Sequence, residues 1–274
     1  FRRVLFRSKN VSIALLGCGT VGKGVVELLR MNGDLIEEQL DTHLTIKYIL
    51  VRNVDKYKDA RLPETIHVTD DFADIINDDD VEIVIEVMGS ADFAKICIEE
   101  CFRKGKSVVS ANKDVIADYG IPLLKLAHEH GADFQFEASV AGGIPVVRPM
   151  YSSLNSNKIE EIIGIMNGTT NFILTGMTDR ELSYEEALAE AQSKGYAEAD
   201  PTNDISGYDA ARKIAILATL GFHSYVTFTD VSVEGIEQIT KDDIMHAKAM
   251  GYRIKLLAVA RQEDDRISLA VHPA

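Results

Sequence analysis

Apolar residues follow two rhythms along this chain. In the first half, short unbroken apolar runs alternate with stretches whose apolar positions recur every three or four residues, which suits buried strands and amphipathic helices in turn. VSIALLG (11–17) is the first run, and a helical pattern follows it to about Arg30. TIKYILV (45–51), VEIVIEVMG (81–89) and KSVVSANK (106–113) are further strands, the last two separated by a helical ADFAKICIEECFRKG. Repeats of this length predict an α/β fold: a Rossmann-type doubly wound parallel sheet over 11–143, with ligands beyond the carboxyl ends of its strands. DFQFEASVAGGIPVVRP (133–149) starts as a strand and ends in glycines and a proline, as a hinge between domains does.

After the hinge the alternation stops. KIEEIIGIMNGTTNF reads as a strand running into a helix start at Gly168, and helices are expected over about 169–178, 183–194 and 205–221, the last capped by Ser206. YRIKLLAVARQ and RISLAVHP, joined by a short acidic turn, read as an antiparallel hairpin. One sheet faced by helices makes a second, α+β domain over 144–274. The opening FRRVLFRSKN (1–10) is basic and has no long apolar segment, and is expected to be a non-native or ill-ordered lead.

Composition narrows the function. A chain of 274 residues with a formal charge of −14 can bury two modest cores, and it lacks the basic excess of a nucleic-acid footprint. No apolar window is long enough for a bilayer, so a small-molecule partner is expected rather than a membrane. Cys18, Cys97 and Cys101 suit a reducing, cytoplasmic setting; the last two share a helix face and read as buried residues, not metal ligands.

The first candidate chemistry is the turn GCGTVGKG. Gly17, Gly19 and Gly22 have the spacing that lets a tight turn meet a pyrophosphate while the next helix packs on its strand, with Thr20 and Val21 at the helix start. At the tip of the second strand an acidic residue would hold the ribose of NAD. Here Arg52 stands there with Lys56 and Lys58 behind it, which favours the 2′-phosphate of NADP, with NAD as the second choice. Ser90, Asn112 and Lys113 fall at the carboxyl ends of later strands, where a nicotinamide would meet its substrate.

The second is GYAEADPTNDISGYDAARK (195–213). Glu198, Asp200 and Asp204 are expected on a loop broken by Pro201, with Asp209 and Lys213 four residues apart on the helix after it. A carboxylate in that position orients the ammonium, which can then donate a proton, and the loop carboxylates suit a ligand bearing its own ammonium. A surface loop and an ordinary helix ion pair is the competing reading. Glu137 and the small residues that follow it could offer hard oxygen ligands to a cation, or simply form a hinge.

Together these motifs resemble the homoserine dehydrogenases over about residues 11–273. GCGTVGKGV, SANKDVIADYG, EASVAGGIPV, GIMNGTTNFIL, AMGYRIKLLAVA and above all the 195–213 segment carry the likeness. The resemblance implies reversible NAD(P)-dependent interconversion of L-homoserine and L-aspartate 4-semialdehyde, in threonine and methionine biosynthesis. It implies that Lys213 is the proton donor, that Asp209 cooperates with it, and that Lys113 lies at the nicotinamide and substrate, so that two lysines serve one carbonyl oxygen. It also implies substrate contacts at Glu198 and Asp204, backbone contacts at Gly168 and Thr169, and a sodium ion held by Glu137 with the carbonyls of Val140, Gly142 and Ile144. Family members dimerise through the sheet containing the 252–272 hairpin, so a homodimer is expected of the complete protein. They continue beyond VHPA, so the chain reads as truncated at its C-terminus, without an aspartate kinase module or ACT domain. Ser90 stands where the family often has glycine. Two other readings stay open: a non-catalytic NADP-binding protein or inactive fragment, needing neither lysine nor the acid cluster, and another semialdehyde dehydrogenase. A phosphorylating enzyme of that kind would need a nucleophilic cysteine, which Cys18, Cys97 and Cys101 are not placed to be.

Overall fold

A computed structural model describes residues 9–57, 62–264 and 266–274. It divides into two compact units, the first ending at Ser139 and the second beginning at Val140, a little ahead of the break expected at 143/144. Each unit is described by itself.

The first unit runs β1 (Lys9–Leu16), α1 (Thr20–Leu40), β2 (Thr42–Leu50), β3 (His67–Thr69), α2 (Ala73–Ile76), β4 (Val81–Glu86), α3 (Ala91–Arg103), β5 (Ser107–Ser110), α4 (Lys113–Glu129) and β6 (Phe134–Gln135). The strands form one parallel sheet in the order β3-β2-β1-β4-β5-β6. The order in which strands are added therefore reverses between β1 and β4, which opens a crevice at their carboxyl ends. The apolar runs fill its centre: Ile13, Ala14, Leu15 and Leu16 on β1, Ile49 on β2 and Val84 on β4 are all buried.

Several expected boundaries move. Lys9 and Asn10 belong to β1, while residues 1–8 of the expected lead lie outside the described residues. α1 runs to Leu40 instead of Arg30, because Ile36 keeps one face half-buried past Gly33, so that packing outweighs glycine's poor helix propensity. β4 and β5 end earlier than expected, at Glu86 and Ser110, and Lys113 opens α4 instead of lying on a strand-end loop. Cys97 and Cys101 are buried on α3, and burial pushes both thiols up to about 12, which makes them inert as nucleophiles.

The second unit contains α5 (Val147–Ser152), β7 (Glu161–Gly164), α6 (Gly168–Arg180), α7 (Tyr184–Ser193), α8 (Thr202–Ile205), α9 (Tyr208–Gly221), β8 (Ser232–Val233), α10 (Lys241–Ala249), β9 (Leu256–Glu263) and β10 (Arg266–Pro273). β9 and β10 form the expected antiparallel hairpin within a four-stranded sheet, β7-β9-β10-β8. The core gathers around α9: Ala211, Ile214, Ala215 and Ala218 pack with Ile173 and Leu174 of α6 and with Ala258, Ala260 and Val271 of the sheet. Lys255, at the start of the hairpin, donates to Asn171 Oδ1 (2.6 Å) and Thr175 Oγ1 (2.7 Å), tying the sheet to α6; burial holds its pKa below the usual lysine value. Among the described residues no helix is long and apolar enough to cross a membrane.

Candidate functional site

The glycine turn of the first unit has the form that its spacing predicts. Gly17 takes φ +100°, a left-handed value open to glycine, and a Cβ there would lie 2.9 Å from the Val87 carbonyl oxygen. At Gly22 a Cβ would lie 2.3 Å from the Gly17 carbonyl oxygen, so only glycine lets α1 pack this closely on the turn. Gly19 is the opposite case, since nothing lies within 4 Å of where its Cβ would project. It is the N-cap of α1 without a side-chain hydrogen bond, and the first turn has no acidic residue. Exposed Thr20 and Val21 follow it. A pyrophosphate fits this arrangement, with bare backbone at Gly19 and the amides of a 21-residue helix behind it. Gly17 N–H to Leu50 O (3.0 Å) and Tyr57 Oη–H to Cys18 O (2.8 Å) pin the turn to β2 and the segment after it. Arg52 and Lys56 are exposed on that segment, and Lys58 lies outside the described residues.

At the neighbouring strand ends a buried carboxylate, absent from the sequence reading, organises the site. Glu86 closes β4 and accepts from Met88 N–H (2.7 Å), Ser110 Oγ–H (2.6 Å) and, more weakly, Asn112 Nδ2–H (3.4 Å). Asn112 is buried as the N-cap of α4 and accepts from Val115 N–H at 3.3 Å, so Lys113 becomes the first helical residue. Ser90 is the exposed N-cap of α3. Burial raises the Glu86 pKa above the ordinary 4.5, against the lowering effect of its three donors. A carboxyl group with a raised folded pKa adds stability at low pH, and that contribution is lost as pH rises from about 4.5 through the folded value. Denaturant midpoints measured across this window should therefore show a downward slope that Glu86→Gln abolishes; parallel curves for parent and variant would refute this role.

In the second unit the acidic stretch and the NGTT turn form one cluster. Lys213 Nζ lies 2.6 Å from Asp209 Oδ2 and donates also to the Met166 carbonyl at 2.9 Å. The pair is largely enclosed, with 19% and 8% of the two side chains exposed, unlike a solvated helix-surface ion pair. Asp204 accepts from Asn167 Nδ2 (2.7 Å) and lies 2.9 Å from the Thr169 hydroxyl, which is also 2.7 Å from Tyr196 O. Gly168 is exposed, opens α6, and has nothing within 4 Å of a Cβ position. The structure thus brings together Thr169, Asp204, Asp209 and Lys213, with Gly168 beside them in the chain. It leaves the Glu198 side chain exposed on the preceding segment, whose backbone is held by Gln192 Nε2.

Two expectations are corrected here. Asp204 is carried by the short helix α8 and not by an open loop. Ser206 ends α8, and its hydroxyl donates to Glu237 Oε2 (3.0 Å); the N-cap of α9 is Gly207 at φ +85°, packed 3.0 Å from Val233 Cγ1 at its would-be Cβ. Asn167 was missed altogether. An asparagine just before a helix start is a capping signal, and that was the only local clue to it.

Glu137 begins a short 3₁₀ turn, Glu137–Ser139. In the second unit Val140 is buried, and Gly142 and Ile144 are exposed in a turn with left-handed φ at Ala141 (52°) and Gly143 (84°), closed by Ile144 N–H to Ala141 O at 2.7 Å. Among the described residues no three His, Cys, Asp or Glu side chains gather as a metal site, so any cation here would depend on backbone oxygens.

Two family models match the chain: "Homoserine dehydrogenase, NAD binding domain" over residues 17–137 and "Homoserine dehydrogenase" over 145–274. The homoserine dehydrogenase of Bacillus subtilis is 47% identical over 265 residues, which is 97% of this chain and 61% of that protein. The Corynebacterium glutamicum enzyme is 42% identical over 268 residues, 96% of this chain and 60% of its own length. The chain thus spans about three fifths of the curated relatives it matches. Among solved structures, the homoserine dehydrogenase of Thiobacillus denitrificans superposes with a TM-score of 0.92 at 40% identity, over 98% of this chain and 62% of that one. A putative homoserine dehydrogenase from Archaeoglobus fulgidus gives 0.84 at 33% identity, over 96% and 83%.

Proposed function

This chain belongs to the homoserine dehydrogenase family and carries that family's NAD-binding domain, and on that premise we propose that the full-length protein reduces L-aspartate 4-semialdehyde to L-homoserine, reversibly. The observation carrying the proposal is the enclosed Lys213 ammonium, held by Asp209 and the Met166 carbonyl next to a second carboxylate, Asp204. Negative charge develops on the carbonyl oxygen during reduction, and Lys213 is the donor that moves a proton to it. When bound, the dinucleotide supplies the hydride. Asp204 and Asp209 bring two carboxylates to this cluster, and carboxylates suit a ligand with its own ammonium group, as homoserine and the semialdehyde have. Glu198, Asp204 and the backbone at Gly168 and Thr169 hold the substrate; in the first unit, Lys113 at the start of α4 serves the nicotinamide. A sodium ion would take hard oxygen ligands, for which the resemblance names Glu137 and the carbonyls of Val140, Gly142 and Ile144. Consumption of NADPH on addition of the semialdehyde to the full-length protein tests the activity; NADPH binding without turnover would favour the non-catalytic reading.

NADP is the preferred dinucleotide, on the support of exposed Arg52 and Lys56 beside the glycine turn. Arg52→Asp should weaken NADPH binding by about 1.5–3 kcal/mol, the magnitude of a hydrogen bond to a charged group. Titration giving equal affinities would remove Arg52 from the site. The protein is also proposed to be a cytoplasmic homodimer. Its second sheet leaves Ile163 52% exposed, in register with half-buried Val259 and Ala270. An apolar sheet face of this kind suits a second copy. Ile163→Arg should turn a dimer into a monomer by light scattering, and a monomeric parent would end the idea.

A further inference from the structure

We propose that Asn167 is a positioning residue for the Lys213 ammonium, its carboxamide holding Asp204 and Asp209 in the arrangement that fixes the lysine. The inference rests on the reading of Lys213 as proton donor.

Asn167 is 4% exposed, and all four of its side-chain hydrogen-bonding positions are used. Oδ1 accepts from Thr170 N–H at 2.9 Å and Thr170 Oγ–H at 3.1 Å, capping α6. Nδ2 donates one hydrogen to Asp204 Oδ1 at 2.7 Å and the other to Asp209 Oδ2 at 2.8 Å. Both amide donors therefore end on carboxylates, a choice that fixes which end of the carboxamide is nitrogen. Asp209 Oδ2 is the same oxygen that holds Lys213 Nζ at 2.6 Å, and the residue before Asn167 supplies the second acceptor of that ammonium. One dipeptide, Met166-Asn167, thus sets the lysine from two sides. Two carboxylates facing each other in an enclosed site repel, and a neutral donor between them relieves that repulsion without adding charge. The bridge also joins the turn before α6 to two elements much further along the chain, α8 and α9, 37 and 42 positions away.

Capping and bridging make different demands, so substitutions separate them. As helix caps, Asn, Asp and Ser are close to equivalent. As donors they are not: serine offers a single O–H in place of two N–H groups, and aspartate puts a third carboxylate against the other two. In the full-length enzyme, Asn167→Ser should lower kcat about tenfold or more, as expected for losing hydrogen bonds to charged groups, with an unchanged KM for NADPH. Asn167→Asp should lower it further, although it is the closest match in shape. Asn167→Ser keeps the cap, so its fall in thermal midpoint should be small beside its fall in kcat. A kcat for Asn167→Ser within about twofold of the parent, or a rise in its KM for NADPH as large as the fall in kcat, would overturn the proposal. If Asn167→Asp does not fold, Asn167→Ser decides alone by the same criterion. Failure of the underlying reading looks different, because Lys213→Ala would then keep its kcat whatever the Asn167 variants do.

Discussion

Lys213→Ala in the full-length enzyme is expected to lower kcat by roughly 10²- to 10⁴-fold, the usual range for a lost general acid. The i, i+4 carboxylate and the Met166 carbonyl fix the ammonium at 2.6 and 2.9 Å, so its proton is aimed before the substrate arrives. An interaction of that kind is made mainly in the transition state, and KM for the semialdehyde should change far less. Glu198→Ala should show the reverse pattern, chiefly a raised KM. Lys213→Arg adds a second discrimination: it keeps the positive charge beside Asp209 but gives up a proton far less readily, so it too should be slow. Steady-state kinetics decide the matter, and near-normal kcat in Lys213→Ala would return the residue to a plain helix ion pair.

The other large effect is expected at the glycine turn, where two substitutions should differ. Gly22→Ala drives a Cβ to 2.3 Å from the Gly17 carbonyl oxygen, a backbone atom that moves only if the whole turn moves. Overpacking of this sort costs about 1–3 kcal/mol, so both the thermal midpoint and NADPH affinity should fall, the latter by roughly 10- to 100-fold. Gly19→Ala places its Cβ in open space and should leave the thermal midpoint near the parent value. It should still weaken NADPH binding, because the new methyl group occupies the side from which a pyrophosphate approaches. Calorimetric titration that finds parental NADPH affinity for Gly19→Ala would exclude the turn as the phosphate site.

How much of this was legible beforehand depended on whether the signal was local. GxGxxG after an apolar run, the Asp209–Lys213 spacing and the apolar runs themselves lie within a few residues, and α1, the centres of β1 and β4, and α9 appear where those patterns put them. Helix and strand ends were less legible because packing sets them. Ser206 looks like the better cap for α9 by propensity. The chain uses Gly207 instead, since that position needs a left-handed φ and sits against Val233 and Val271, which come from distant strands. α4 is set by packing in a similar way: Pro122 lies within it, which local propensity disfavours, and buried Val115, Ile116 and Leu123 hold the helix in place.

Strand–helix alternation over the first half, the bare backbone of the glycine turn and the pairing of Asp209 with Lys213 can be read from the chain alone, because each follows from neighbours on one element. The enclosure of Glu86 against Ser110 and Asn112, and the bridge that Asn167 makes from Asp204 to Asp209, come from packing between elements. Those partners lie between 24 and 42 positions away in the chain. No periodicity reaches so far. A buried polar group takes whatever donors the packed elements deliver to it, and the need to satisfy it is met only once those elements have come together.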